Sequence, residues 1–154
     1  MINGLIVKKL NPIHDERGWL IEILRSDWDI FQKFGQVYLT TAYPNVVKGW
    51  HMHKKQTDHM FCIKGMIKLA VYDGRIHSKT KGELTDFYIG ERNPVLVKIP
   101  PGLWHGFKAI HEIAYIINIP TELYNYKTPD EYRLSPTTNK IKYDWGLTPG
   151  LKHG

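Results

Sequence analysis

The chain has 154 residues, of which 42% are hydrophobic and 23% charged, the balance of one globular domain with a sizeable core. No apolar run approaches the ~20 residues that span a bilayer, MINGLIVKKL lacks the order of a signal peptide, and the one cysteine, Cys62, cannot form an internal disulfide. These features point to a cytoplasmic protein with no membrane partner. The net charge is +6, but lysines and arginines are spread along the chain without a nucleic-acid-binding motif. The basic balance therefore favours a small anionic ligand over nucleic acid.

In chain order, the first strong pattern is HDERGWLIEI at 14–23. The segment SDWDIFQKFG follows, with Ser26 as an N-cap and Gly35 as a stop, and it predicts one short helix. About eight β-rich runs come next, punctuated by Gly, Pro, Asn or Asp. They are QVYLTTAY, VVKGWHM, HMFCIKG, MIKLAVYDG, DFYIG, PVLVKIP, HGFKAI and IAYIINIP. Cys62 lies in an apolar run and reads as a buried strand residue, not a nucleophile. The tail after Arg133, rich in Pro, Thr, Lys and Gly, is expected to wrap over the surface. There is no repeat and no linker, so residues 1–154 read as one all-β domain, a sandwich or barrel with one short helix.

GWHMHKKQTDH at 49–59 carries the chemistry. In a strand, residues two apart share a face, so His51 and His53 project together, and Asp58 or His59 can return to meet them. His105 follows the tight turn in PPGLWHGF. Imidazoles and a carboxylate so placed can hold zinc, iron, manganese or nickel. They can equally be a catalytic base with its neighbours, or histidines satisfied by hydrogen bonds in a polar pocket. The spacing His51-x-His53, Asp58, Gly65, followed by Pro100, Gly102 and His105, resembles the two motifs of the cupins. That resemblance implies a jelly-roll barrel, and a metal set of His51, His53, Asp58 and His105.

A narrower family resembles more of the chain, over about residues 11–133. HDERGWLIEI is similar to the D-x-RG-x-x-x-E segment of the dTDP-4-dehydrorhamnose 3,5-epimerases. VVKGWH is similar to their V-x-RG-L-H, with Lys48 in place of arginine. VYDGRIHSKTKG resembles V-D-x-R-x-x-S-x-T-x-G, and IPPGLWHGF resembles I-P-x-G-x-x-HGF. The resemblance implies a cofactor-free isomerase acting on a nucleoside-diphosphate 4-keto-6-deoxy sugar, dTDP-linked. A base removes a proton beside the ketone, at C3 or C5, and a proton returns from the other face. It implies His51 as base, with His105 and Tyr124 beside it. Arg17 and Arg75 would contact the diphosphate. Glu22, Gln36, Lys48 and Asn118 would contact substrate, and Trp19, Trp50 or Tyr38 would stack on the base. It further implies a homodimer that exchanges N-terminal strands from residues 1–35, so that Arg17 reaches the partner's pocket, with 134–154 as a C-terminal tail.

Departures from the family pattern are as informative. The family's general-acid tyrosine falls on Asn118, its enolate-side lysine on Asp58, and its C-terminal aspartate partner for the base has no clear equivalent. Asp58 itself is the alternative partner for His51. Losing the acid and the lysine together moves the site toward a metal-binding cupin, in which a divalent ion serves as electrophile for the enolate or supports other chemistry, that of an oxygenase or a non-redox isomerase of a small acid or sugar. WHMHKK also resembles the sugar-nucleotide 3,4-ketoisomerases. A cupin that binds sugar nucleotide without catalysis is the remaining alternative. The sequence leaves open which nucleotide and sugar are used, and whether one or two centres are inverted.

Overall fold

The computed structural model describes residues 1–146. One five-stranded sheet has the order β1 (Ile6–Lys9), β9 (Val95–Ile99), β6 (Asp58–Lys64), β11 (Ala114–Asn118), β4 (Tyr38–Ala42). The other has the order β12 (Tyr132–Arg133), β5 (Val47–Met52), β10 (Leu103–Ala109), β7 (Met66–Asp73), β8 (Leu84–Gly90). A hairpin of β2 (Ile13–Asp15) and β3 (Gly18–Leu20) stands apart. Within both sheets the named strand pairings are antiparallel. The arrangement is a jelly roll, as the β-rich punctuation of the sequence requires. Among the described residues no helix is long and apolar enough to cross a membrane.

Alternation of side chains builds three apolar layers. Met60 and Cys62 of β6, Ile67, Leu69 and Val71 of β7, and Val95, Val97 and Ile99 of β9 share the central core. Phe61 and Leu96, one residue out of phase, point outward and are covered by Leu10 and Ile30. Trp50 and Ala70 point outward from the other sheet and are covered by Ile141 and Trp145. Strands buried on both faces read as continuous apolar runs, which is why HMFCIKG and MIKLAVYDG show so little polar alternation. Cys62 is fully buried on β6, and burial pushes its thiol up to about 11, the behaviour of a packing residue.

The predicted helix at 26–35 is not formed. Residues 26–30 make turns and 32–37 run without regular structure. The Ile30 side chain is buried in the outer apolar layer. Its carbonyl faces the ring of His59 at 3.1 Å. The N–H groups of Gly35 and Gln36 donate to the Pro120 carbonyl. A helix of about ten residues is marginal on its own, and these tertiary bonds outcompete it.

Two glycines let the strands beneath the site touch. A Cβ on Gly49 would lie 2.7 Å from Gly106 Cα, so β5 and β10 approach backbone to backbone. The register shifts between His105 and Gly106, and this brings His105 opposite His51.

The C-terminal segment is part of the core. Trp145 is 3% exposed and stacks on Trp50 with ring centroids 4.9 Å apart. Trp145→Ala is expected to destabilise the protein by about 3–5 kcal/mol, read from urea denaturation. A loss below about 1 kcal/mol would mean that the segment is only a surface wrap.

Candidate active site

Inward-facing positions at one end of the barrel are polar and line a cavity of about 700 Å³, within the usual range of small-ligand sites. Strand β5 supplies His51, β10 supplies His105, and the turn after β5 supplies His53. Strands β4, β6 and β11 bring Tyr38, Met60 and Asn118 to the same cavity. The alternation that sends Trp50 outward into the third apolar layer turns His51 inward.

The three histidines share one arrangement. His51 Nδ1 donates to Glu131 Oε1 at 2.8 Å, His53 Nδ1 donates to the Asp130 carbonyl, and His105 Nδ1 donates to the Leu103 carbonyl at 3.2 Å. Each acceptor settles which nitrogen carries the hydrogen, so each neutral ring presents a bare Nε2. Burial lowers the pKa of His51 below the ordinary histidine value of 6.5 and outweighs the attraction of Glu131. Complete burial depresses His105 further. Burial tends to raise Glu131, yet the hydrogen bond from Arg133 and the pairing with His51 bring its carboxyl below the usual range. Glu131 is therefore ionised at neutral pH and fixes the tautomer of His51.

Asp58 is 1% exposed on β6. Its Oδ1 accepts from Gln56 Nε2 and Asn118 Nδ2, both at 2.7 Å. Its Oδ2 has no hydrogen bond. It faces His53 Nε2 at 3.5 Å and His105 Nε2 at 3.4 Å. Those separations are long for hydrogen bonds. They match the spacing of about 3.3–3.6 Å between ligand atoms that sit 2.0–2.2 Å from one tetrahedral ion. The donor atoms of His53, Asp58 and His105 lie within 4.8 Å of one another. The arrangement fits a divalent cation. His51 is outside this set, its ring centroid lying 6.4 Å from that of His105.

The structure sorts the other expected residues. Gln36, Lys48, Asn118 and Tyr124 line the cavity. Lys48 Nζ donates to Thr40 Oγ1 at 2.8 Å. Asn118 spends its whole amide on protein partners, accepting from His59 N–H and donating to Asp58 and Tyr38. It is thus a scaffold for its neighbours and has no hydrogen left for substrate. Arg75 is outside the cavity lining. It grips Asp73 through Nε and Nη2, and the Ser78 and Thr80 hydroxyls bind the same carboxylate. The V-D-x-R-x-x-S-x-T-x-G segment is here a loop clasp. Arg17 pairs with Asp15 on the exposed hairpin, and Glu22 pairs with Arg25. Trp50 is fully buried and offers no stacking face.

The partner of His51 is Glu131, not Asp58. Sequence reading passed over Glu131, Tyr38 as a polar group, and Arg133. Glu131 lies eighty residues from His51. It reaches the ring because β12 adds to the edge of β5, pairing Arg133 with His51. Tyr38 is two residues after Gln36 and shares its face, a signal that was present in QVYLTTAY.

A family model described as dTDP-4-dehydrorhamnose 3,5-epimerase matches residues 1–153. The chain belongs to that family. It is therefore an isomerase of the sugar-epimerase class. "Probable low-salt glycan biosynthesis epimerase Agl13" of Haloferax volcanii is 45% identical over 147 residues, covering 94% of each chain. "Spore coat polysaccharide biosynthesis protein SpsL" of Bacillus subtilis is 40% identical over 146 residues, covering 94% of this chain and 97% of that one. A crystal structure of a dTDP sugar isomerase from Desulfovibrio desulfuricans G20 is 29% identical with a TM-score of 0.89, covering 96% and 94%. The family resemblance carried by the four sequence motifs is correct, and so is the jelly roll it implies.

The geometry of His51 makes a titration test. NMR of the assigned ring should give a pKa below 6.5, and Glu131→Gln should lower it further, because the carboxylate's attraction is removed. An unchanged or raised value in the variant would mean that Glu131 does not act on this ring.

Proposed function

We propose that the protein epimerises a nucleoside-diphosphate 4-keto-6-deoxy sugar, dTDP-linked, with His51 as the base. The observation that carries this reading is the His51–Glu131 pair. Nδ1–H is anchored on a carboxylate, Nε2 is bare and turned to the cavity, and burial keeps the ring neutral near pH 7. Nε2 takes a proton from the carbon beside the ketone, and the C–H electron pair moves onto the carbonyl oxygen as an enolate. Glu131 stabilises the imidazolium that forms. A phenol from the opposite wall returns a proton to the other face, and both Tyr38 and Tyr124 line the cavity. Lys48 and Arg133 supply positive charge at its lining for the diphosphate. His105 and Gln36 position the sugar.

Since the base must be neutral, activity falls as pH drops through the His51 pKa and is flat above it until another group titrates. In deuterium oxide, dTDP-4-keto-6-deoxyglucose should gain deuterium at C3, or at C3 and C5. His51→Asn should slow this by about 10²–10⁴-fold, read by proton NMR. Undiminished exchange in the variant would remove His51 as the base. Deuterium at C3 with migration of the ketone would make the protein a 3,4-ketoisomerase.

The spacing about Asp58 Oδ2 supports a second reading, that His53, Asp58 and His105 hold a divalent ion. Such an ion would polarise the ketone oxygen where the family's lysine is replaced by Asp58. Metal analysis should then find about one ion per chain, lost in Asp58→Asn. Metal-free protein that epimerises at full rate in chelator would overturn it.

We also propose a cytoplasmic homodimer. Strand β1 pairs with β9 of its own chain. The β2–β3 hairpin is left exposing Ile13, Trp19 and Leu20, an apolar set suited to cross to a partner and carry Arg17 to its cavity. Light scattering should read twice the 18.0 kDa of one chain, and a single-chain mass would refute it.

A further inference from the structure

Of the tyrosines lining the cavity, Tyr38 has its hydroxyl held by a protein hydrogen bond, and it enters from the sheet that does not carry His51. We propose that Tyr38 is the residue that returns the proton to the substrate carbon, held in position by Asn118. This rests on the reading above, that the reaction removes and restores a proton beside a ketone.

The argument starts from Asn118. Tyr38 and Asn118 are directly opposed across the β4–β11 ladder. The Asn118 amide cannot be turned round, because its Oδ1 accepts the backbone N–H of His59 at 3.1 Å, and an N–H can only donate. Its NH2 group therefore supplies two donors, one to Asp58 Oδ1 at 2.7 Å and one to the Tyr38 hydroxyl at 2.8 Å. The Tyr38 oxygen is thus an acceptor, and its own hydrogen is left over. Among the described residues that hydrogen has no hydrogen-bond acceptor, and the side chain lines the cavity. A phenol whose oxygen is held by a fixed donor and whose hydrogen is uncommitted is arranged to give a proton to something that enters.

Placement agrees with stereochemistry. Strand β4 is an edge of one sheet and β5 belongs to the other. Base and phenol so enter the cavity from different sheets. Inversion at carbon requires removal from one face and return to the other, which a single side chain cannot do. Burial pushes the Tyr38 phenol up to about 12, and the charges of Asp58 and Glu131 add to this. The group is thus protonated across the neutral range. The Asn118 hydrogen bond acts the other way and stabilises the phenolate left behind.

The step balances. The enolate electron pair forms the new C–H bond, the Tyr38 O–H bond breaks, and the phenolate keeps its bond from Asn118 until water restores its proton. Tyr124 is placed less well. Its exposure equals that of Tyr38, 42% for each, but it packs edge-on against Tyr126, with centroids 5.0 Å apart, and no hydrogen bond fixes its hydroxyl among the described residues.

The test separates proton removal from proton return. Using the sugar nucleotide that wild type turns over, Tyr38→Phe should still exchange the substrate's carbon-bound hydrogen for deuterium. Net inversion should fall by about 100-fold or more, while Tyr124→Phe stays within about tenfold of wild type. 3-Fluorotyrosine at position 38, which acidifies the phenol, should move the alkaline limb of the pH profile to lower pH. A merely structural tyrosine would produce neither the split nor the shift. Inversion by Tyr38→Phe at the wild-type rate, or loss confined to Tyr124→Phe, would overturn the proposal. If instead His51→Asn keeps both exchange and inversion, the base assignment fails while the Tyr38 split is read as before.

Discussion

Residues 130 and 131 hold the Nδ1 nitrogens of His53 and His51, and the chemistry of the cavity depends on that grip. An imidazole alone in a cavity can carry its hydrogen on either nitrogen and rotate. Here the chain returns along the edge of β5, Leu134 exchanging backbone hydrogen bonds with Trp50. The Asp130 carboxylate accepts from the N–H groups of Lys54, Lys55 and Gln56. Those bonds lock the turn after β5 and leave the Asp130 carbonyl for His53 and the Glu131 carboxylate for His51. Both rings then have one tautomer and one orientation. An imidazole held in one tautomer and one orientation can accept a proton without a reorganisation cost.

A polar chain runs behind these rings. Gln56, Asp58, Asn118 and Tyr38 are joined by consecutive hydrogen bonds, and His59 is tied to the same amide. Burying an aspartate in a barrel costs several kcal/mol unless its oxygens are satisfied. One oxygen of Asp58 is doubly satisfied and the other faces two imidazole nitrogens. The network therefore orients the Tyr38 phenol on one side and gathers His53 and His105 around a carboxylate on the other. The same buried charge serves both walls of the cavity.

The outer layers explain why so many aromatic and charged residues of suggestive sequence take no part in the site. Trp50 is one position from His51, and strand alternation sends it to the opposite face, where Trp145 and Tyr143 enclose it. Arg75, a natural phosphate ligand by type, is consumed by Asp73, whose carboxyl lies far below the usual range against burial because Arg75, Ser78 and Thr80 all bind it. That clasp closes the connection between β7 and β8. A guanidinium already paired with a buried carboxylate is a poor recruit for a ligand, since breaking the pair leaves the carboxylate uncompensated.

Local order along the chain was enough for the β-rich domain, the shared face of His51 and His53 and the buried Cys62, because strand periodicity acts over two residues. The four spaced motifs were enough for the family. The absent helix, the Glu131 partner and the Asn118–Tyr38 pair were not readable there. Each depends on contacts between segments far apart in sequence: Ile30 with His59, His51 with Glu131, and Tyr38 with Asn118. Strand order and register choose which distant residues meet, and periodicity says only which way each one faces. Sequence thus singled out His51, and the packing of two sheets and a returning C-terminal strand set Glu131 against its ring and Tyr38 against Asn118.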